Sequence, residues 1–164
     1  MSDPVYIALG SNLDDPVNQI HRALESLRDL PCTHLINHSR LYRSAPVGHL
    51  DQPEFINAVA YLETSLDPST LLHQLLNLEH HHGRQRLFPN GPRTLDLDIL
   101  VHGTKQVHLD HLTIPHPRLA ERLFVLLPWL DIAPGNLVIP GLGSLSDLVA
   151  LCPPNDITPL HEKD

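Results

Sequence analysis

The chain has 164 residues, 41% hydrophobic and 18% charged, which is ordinary for a globular domain with one real core. Its net charge of -8 disfavours nonspecific nucleic-acid binding, and no apolar run approaches the roughly 20 residues that cross a bilayer. Cys32 and Cys152 have neither metal nor redox spacing, and "MSDPVYIALG" lacks the basic start of a signal peptide, so a cytoplasmic protein is expected.

"VYIALG" (5–10) reads as a short buried strand ended by Gly10. The Gly-Ser-Asn at 10–12 is too short for a phosphate-binding P-loop, and no Gly-Lys-Ser/Thr follows. Asp15 is a candidate N-cap and Pro16 suits the first helical position; Val17, Ile20, Leu24 and Leu27 then recur at helical spacing. A second strand is expected over 34–42, a loop over 44–54 and a third strand over 55–64. Asp67 and Pro68 open a second helix with an apolar face of leucines at 71, 72, 75, 76 and 78, and Gly83 is a plausible stop.

An arginine-rich loop leads into a fourth strand, about Leu95 to Val101. Alternation puts Leu95, Leu97, Ile99 and Val101 on one face and Asp96, Asp98 and Leu100 on the other. The order β-α-β-β-α-β predicts an α+β, ferredoxin-like sandwich with both helices on one face of an antiparallel sheet, as a single domain over 1–164. Past Gly103 come C-terminal additions: a small strand near Val107, short helical pieces, a last helix at 144–151, and a tail from about 152.

Two carboxylates on one face of a strand built for burial repel each other and resist leaving water. Mg²⁺ would suit Asp96 and Asp98, because it takes one or two protein carboxylates and completes its shell with water and phosphate. A solvated edge strand is the plainer alternative. Arg84, Arg86 and Arg93 just before the pair favour phosphate, since guanidinium forks match phosphate oxygens. Metal plus arginines points to a nucleoside triphosphate. Phe55 and Asn57 share a strand face and could stack on and edge-bond a heterocycle, or simply be core and strand end. His80, His81 and His82 fan out at a helix end, which suits solvated residues better than zinc. His116 lies between prolines and beside Arg118 and Arg122, where a phosphate contact is plausible.

Four blocks, "YIALGSNL", "LYRSAPVGHLDQPEFINAV", "GRQR…NGPRTLDLDIL" and "LTIPHPRLAERLFVLLPW", occur in the order found in the 6-hydroxymethyl-7,8-dihydropterin pyrophosphokinases, and the chain resembles that family from Tyr6 to about Pro134. The resemblance implies transfer of diphosphate from ATP to the hydroxymethyl group of the pterin, releasing AMP. It implies two Mg²⁺ ions at Asp96 and Asp98, with Arg84 and Arg93 in the catalytic set. It implies a pterin between Phe55 and Phe124, edge-bonded by Asn57, in a pocket completed by Ser44, Ala45 and Val47. It assigns the nucleotide to Glu79, Arg84, Arg86, Arg93, Ile99, His111, Thr113, His116 and Arg122. Asn90, His111 and Pro117 stand where some members carry tryptophan, arginine and tyrosine, so phosphate grip is expected to differ. A monomer, with no nucleic-acid or membrane partner, is expected. The alternative is a catalytically silent binder of pterin and nucleotide.

Overall fold

The computed structural model describes residues 2–46, 51–82 and 94–160. Its spine is β1 (Asp3–Ser11), which pairs antiparallel with β4 (Phe55–Thr64) on one side and with β5 (Asp96–His102) on the other. Beyond β4 lie β2 (Thr33–His38) and β3 (Tyr42–Ser44), one after the other along the same edge. The expected single strand over 34–42 is therefore two. At the break, Ser39 keeps the ladder satisfied: its N–H donates to the Val59 carbonyl at 2.8 Å, and its Oγ accepts the Val59 N–H at 2.9 Å. The order second-third-first-fourth is that of the predicted βαββαβ sheet.

Helices α1 (Pro16–Arg28) and α2 (Pro68–His81) lie on one face. Ile20, Leu24, Leu27, Leu71 and Leu75 pack there against Ile7, Leu9, Leu62, Leu97 and Ile99. Asp15 does not cap α1 with its side chain; its backbone takes φ 61°, in the left-handed region rather than the extended one usual for a capping residue.

The other face is covered too, by α3 (Leu123–Leu130) and α4 (Leu145–Leu151). Here the expected one-sided sandwich gains a third layer. Val125, Leu126, Trp129, Leu145 and Leu148 bury against Tyr6, Val59, Leu100 and Val101. Val101 was expected on the opposite face, with Ile99. A bulge explains its position: Ile7 pairs with Ile99 and Tyr6 with Val101, so Leu100 is an extra residue and the alternation is reset after it. Asp96 and Asp98 lie before the bulge and keep their predicted face.

A small hairpin of β6 (Val107–Leu109) and β7 (Leu112–Ile114), and a ribbon of β8 (Val138–Ile139) and β9 (Gly143–Ser144), complete the additions. Nor is the expected tail only a tail: β10 (Ile157–Pro159) pairs with β3 and forms the sheet's outer edge.

Trp129 is fully buried and lies 5.3 Å from the Tyr6 ring, centroid to centroid. Trp129→Ala should destabilise the protein by about 3–5 kcal/mol in urea unfolding, the usual range for deleting a buried aromatic side chain. A loss under about 1 kcal/mol would show that the C-terminal layer is not part of the cooperative fold.

Candidate active site

The register of three strands fixes the floor of a hollow. Gly10 stands between Asn57 on β4 and Asp96 on β5; two residues earlier, Ala8 stands between Val59 and Asp98. The two small residues put little side chain between these polar groups. Ser44 and Ala45 close one wall, and Arg122 and Phe124, at the start of α3, close the other. The enclosed cavity is about 160 Å³, and Phe55, Asn57, Asp96, Asp98 and Phe124 all line it.

A second hollow adjoins the first. Ile99, His111, Thr113 and His116 line it, together with Pro117. Asp98 belongs to both hollows. Phe55, Asn57 and Phe124, expected to contact a heterocycle, thus line one hollow, and Ile99, His111, Thr113 and His116, expected to contact a nucleotide, line the other; Asp98 lines both, and Arg122 lies in the first.

Hydrogen bonds set what several of these groups can offer. Asn57 Nδ2 donates to Ser44 Oγ at 2.7 Å, which leaves Oδ1 as the acceptor toward the cavity. His116 Nδ1 accepts the Arg118 N–H at 3.2 Å, so the ring proton sits on Nε2. That nitrogen is 3.8 Å from Asp98 Oδ2, as is Arg122 Nη1. The His116 contact is nevertheless not an ion pair. Burial, and then the nearby Arg122 charge, outweigh the pull of Asp96 and lower its pKa to about 4. His116 is a neutral donor, and Arg122 carries the positive charge beside Asp98.

Three further residues hold this geometry from outside the cavity. Ser11 Oγ donates to the Thr94 carbonyl, just before β5, and Asn12 Nδ2 donates to the Pro53 carbonyl at 3.0 Å and to Gln52 Oε1 at 2.8 Å, just before β4. The side chains at the end of β1 and just after it thus tie down the leading ends of the strands that carry Asp96 and Phe55. Glu79 reaches from α2 to accept the Leu97 N–H at 2.7 Å, between the two aspartates. Among the described residues it is not part of the lining of either hollow.

Val47, Arg84, Arg86 and Arg93, like the helix stop expected at Gly83, lie outside the described residues. The sequence reading missed Gly10, Ser11 and Asn12, and three lining residues: Arg118, Glu121 and Asn155. The Gly-Ser-Asn directly after a strand was a usable signal once the P-loop was excluded. Asn155, in a proline-flanked stretch, carried none. The three histidines at 80–82 do not converge: His81 Nδ1 bonds the Asn77 carbonyl, while His82 is buried and bonds Gln19 Oε1.

Among the described residues no group of three His, Cys, Asp or Glu side chains converges as for a closed metal site. Asp96 and Asp98 offer hard oxygen donors from one strand face, a set that fits Mg²⁺ completed by phosphate and water rather than structural zinc.

Residues 6–134 match the family described as 7,8-dihydro-6-hydroxymethylpterin-pyrophosphokinase. The 2-amino-4-hydroxy-6-hydroxymethyldihydropteridine pyrophosphokinase of Haemophilus influenzae is 47% identical over 144 residues, 88% of this chain and 89% of that protein. The protein of the same name from Pseudomonas aeruginosa is 47% identical over 153 residues, 93% of this chain and 94% of its own. A Plasmodium falciparum HPPK-DHPS crystal structure shares the fold, with a TM-score of 0.70 over 92% of this chain and 45% of that one, at 16% identity.

His116 supplies a pH test. Its folded pKa, about 4, lies below the ordinary 6.5, so between these values the unfolded chain binds more protons. Its contribution to stability is present above pH 6.5 and is lost as pH falls toward 4. An NMR titration should find the ring neutral at pH 5.5, and a midpoint near 6.5 would contradict this environment.

Proposed function

The chain belongs to the 7,8-dihydro-6-hydroxymethylpterin-pyrophosphokinase family, and we propose that its two hollows are the two substrate sites of that enzyme's reaction. The protein is a diphosphokinase of folate synthesis. It transfers diphosphate from ATP to the hydroxymethyl group of 6-hydroxymethyl-7,8-dihydropterin and yields AMP and the pterin diphosphate. The observation that supports the site assignment is that Asp98 lines both hollows.

The pterin occupies the first hollow. Phe55 and Phe124 supply apolar faces for its rings, and Asn57 Oδ1 accepts an N–H of its pyrimidine edge. ATP occupies the second hollow, along Ile99, His111 and Thr113, with its phosphates toward Asp98. His116 Nε2–H and the Arg122 guanidinium donate to phosphate oxygens from beside Asp98. Arg84, Arg86 and Arg93 join them on the strength of the resemblance.

Asp96 and Asp98 would hold Mg²⁺, two ions with ATP bound, and the metal supplies neutralisation of phosphate charge. What the protein itself contributes is alignment and exclusion of water. It holds the hydroxymethyl oxygen of the pterin next to the β-phosphorus where the two hollows meet at Asp98, so that the O–P bond forms as the bond to the α-phosphate oxygen breaks and AMP leaves.

We place the protein in the cytoplasm as a monomer that binds no nucleic acid. Its free cysteines and its net charge of -8 support the cytoplasmic location and the lack of nucleic-acid binding. Among the described residues no helix is long and apolar enough to cross a membrane.

Asp96→Ala and Asp98→Ala should each keep the fold, since each removes a repelling charge rather than a packed group. Turnover should fall by orders of magnitude. Near-normal Mg²⁺-dependent AMP release by either variant would refute the metal assignment. Phe124→Ala should weaken pterin binding by about 1–3 kcal/mol, the scale of a lost aromatic stack, and change ATP affinity far less. Equal loss of both ligands in calorimetry would refute the pterin assignment.

A further inference from the structure

Two walls of the first hollow come from distant parts of the chain, β3 with Ser44 and α3 with Phe124, and one carboxylate ties them together. Asp131 directly follows α3. The Tyr42 hydroxyl faces both of its oxygens at 2.9 Å. Arg40, just before β3, takes the same carboxylate as a fork, Nε to Oδ2 and Nη2 to Oδ1 at 3.2 Å each, and its backbone N–H donates to Oδ2 at 3.3 Å. Nη2 also donates to the Tyr42 hydroxyl at 2.9 Å, and the guanidinium lies 5.4 Å from the centre of the Tyr42 ring. The cluster is largely closed to water from within: Tyr42 is buried, and the Asp131 side chain is 19% exposed. Burial, and then the carboxylate, push the Tyr42 pKa up, so the phenol stays a donor.

An acid is out of place at a helix C-terminus, where the backbone already carries partial negative charge. Arg40 and Tyr42 offset that charge from the neighbouring strand, and their position shows what the arrangement controls. Tyr42 and Ser44 alternate onto one face of β3, and Ser44 Oγ accepts Asn57 Nδ2. Phe124 lies at the other end of the helix that Asp131 terminates, about 10 Å away along its axis. Burial of Trp129 holds α3 down on the sheet, but apolar burial has no direction and resists rolling or sliding of the helix only weakly. Hydrogen bonds to a carboxylate demand distance and angle, and do resist it. We infer that Tyr42, Arg40 and Asp131 are positioning residues: they lock α3 to β3 and so set the gap between Phe124 and the Ser44–Asn57 wall, into which the pterin fits. Among the described residues, none that lines the second hollow comes from β3 or α3, so this clamp acts on the pterin and not on the nucleotide.

The inference rests on the pterin reading of the first hollow, and one calorimetric cycle separates the two. The parent, Tyr42→Phe, Asp131→Ala and the double variant are titrated with a nonhydrolysable ATP analogue and Mg²⁺, then with 6-hydroxymethyl-7,8-dihydropterin, at a temperature where circular dichroism shows each to be folded. Tyr42→Phe, which removes only a hydroxyl, should weaken pterin binding about fivefold, the scale of one hydrogen bond, and leave the affinity for the nucleotide unchanged. Asp131→Ala should weaken it more. Adding Tyr42→Phe to it should then change nothing further, because both act through one carboxylate. Should Asp131→Ala fail to fold, the isosteric Asp131→Asn takes its place, with a less than additive double variant expected. Unchanged pterin affinity would overturn the proposal. So would equal weakening toward both ligands, or additive effects, either of which marks a merely structural network. A parent that bound the nucleotide but no pterin would instead overturn the reading of the hollow, and this inference with it.

Discussion

Repulsion between Asp96 and Asp98 is the constraint around which the site is arranged. Two carboxylates on one strand face, next to a packed core, persist only where positive charge is supplied. The protein supplies part of it through Arg122, 3.8 Å from Asp98. It withholds the obvious second source, because burial and Arg122 keep His116 uncharged. A neutral His116 keeps a fixed Nε2–H donor for phosphate without adding another cation.

The two hollows depend on that pair being held in register. β1 does this from the middle of the sheet, since among the described strands it is the one that pairs with both β4 and β5. Its small residues at 8 and 10 keep the floor low between Asn57 and the aspartates. At the end of β1 and just past it, Ser11 and Asn12 add side-chain hydrogen bonds to Thr94 and Pro53, where strand ends would otherwise fray. Glu79 holds the outer edge of β5 through Leu97. The third layer has a related effect. Burial of Trp129 fixes α3 on the sheet, and α3 carries Phe124 and Arg122 over the cavity.

Much of this was legible in the sequence. Period-two and helical patterns located β1, β4, β5, α1 and α2, because each buries one face against a single core. The aspartate pair stood out as charge in a buried pattern. Other features were hidden for physical reasons. Period-two alternation cannot foresee an inserted residue, so the bulge at Leu100 turned Val101 to the unexpected face. Ser39 mimics a ladder hydrogen bond with its side chain, so the break between β2 and β3 leaves no hydrophobic trace. β10 is short, contains a proline and lies at an edge, where propensity is weak and tertiary pairing decides. The bond from the Leu97 N–H to Glu79, which pins β5 to α2, left no trace in the sequence pattern.

Product identity tests the two-hollow arrangement most directly. With purified protein, Mg²⁺ and ATP, phosphorus NMR should show AMP and a diphosphate ester forming in equal amounts, and only after 6-hydroxymethyl-7,8-dihydropterin is added. Release of ADP, or of AMP at the same rate without the pterin, would mean that Asp98 does not stand between two substrates.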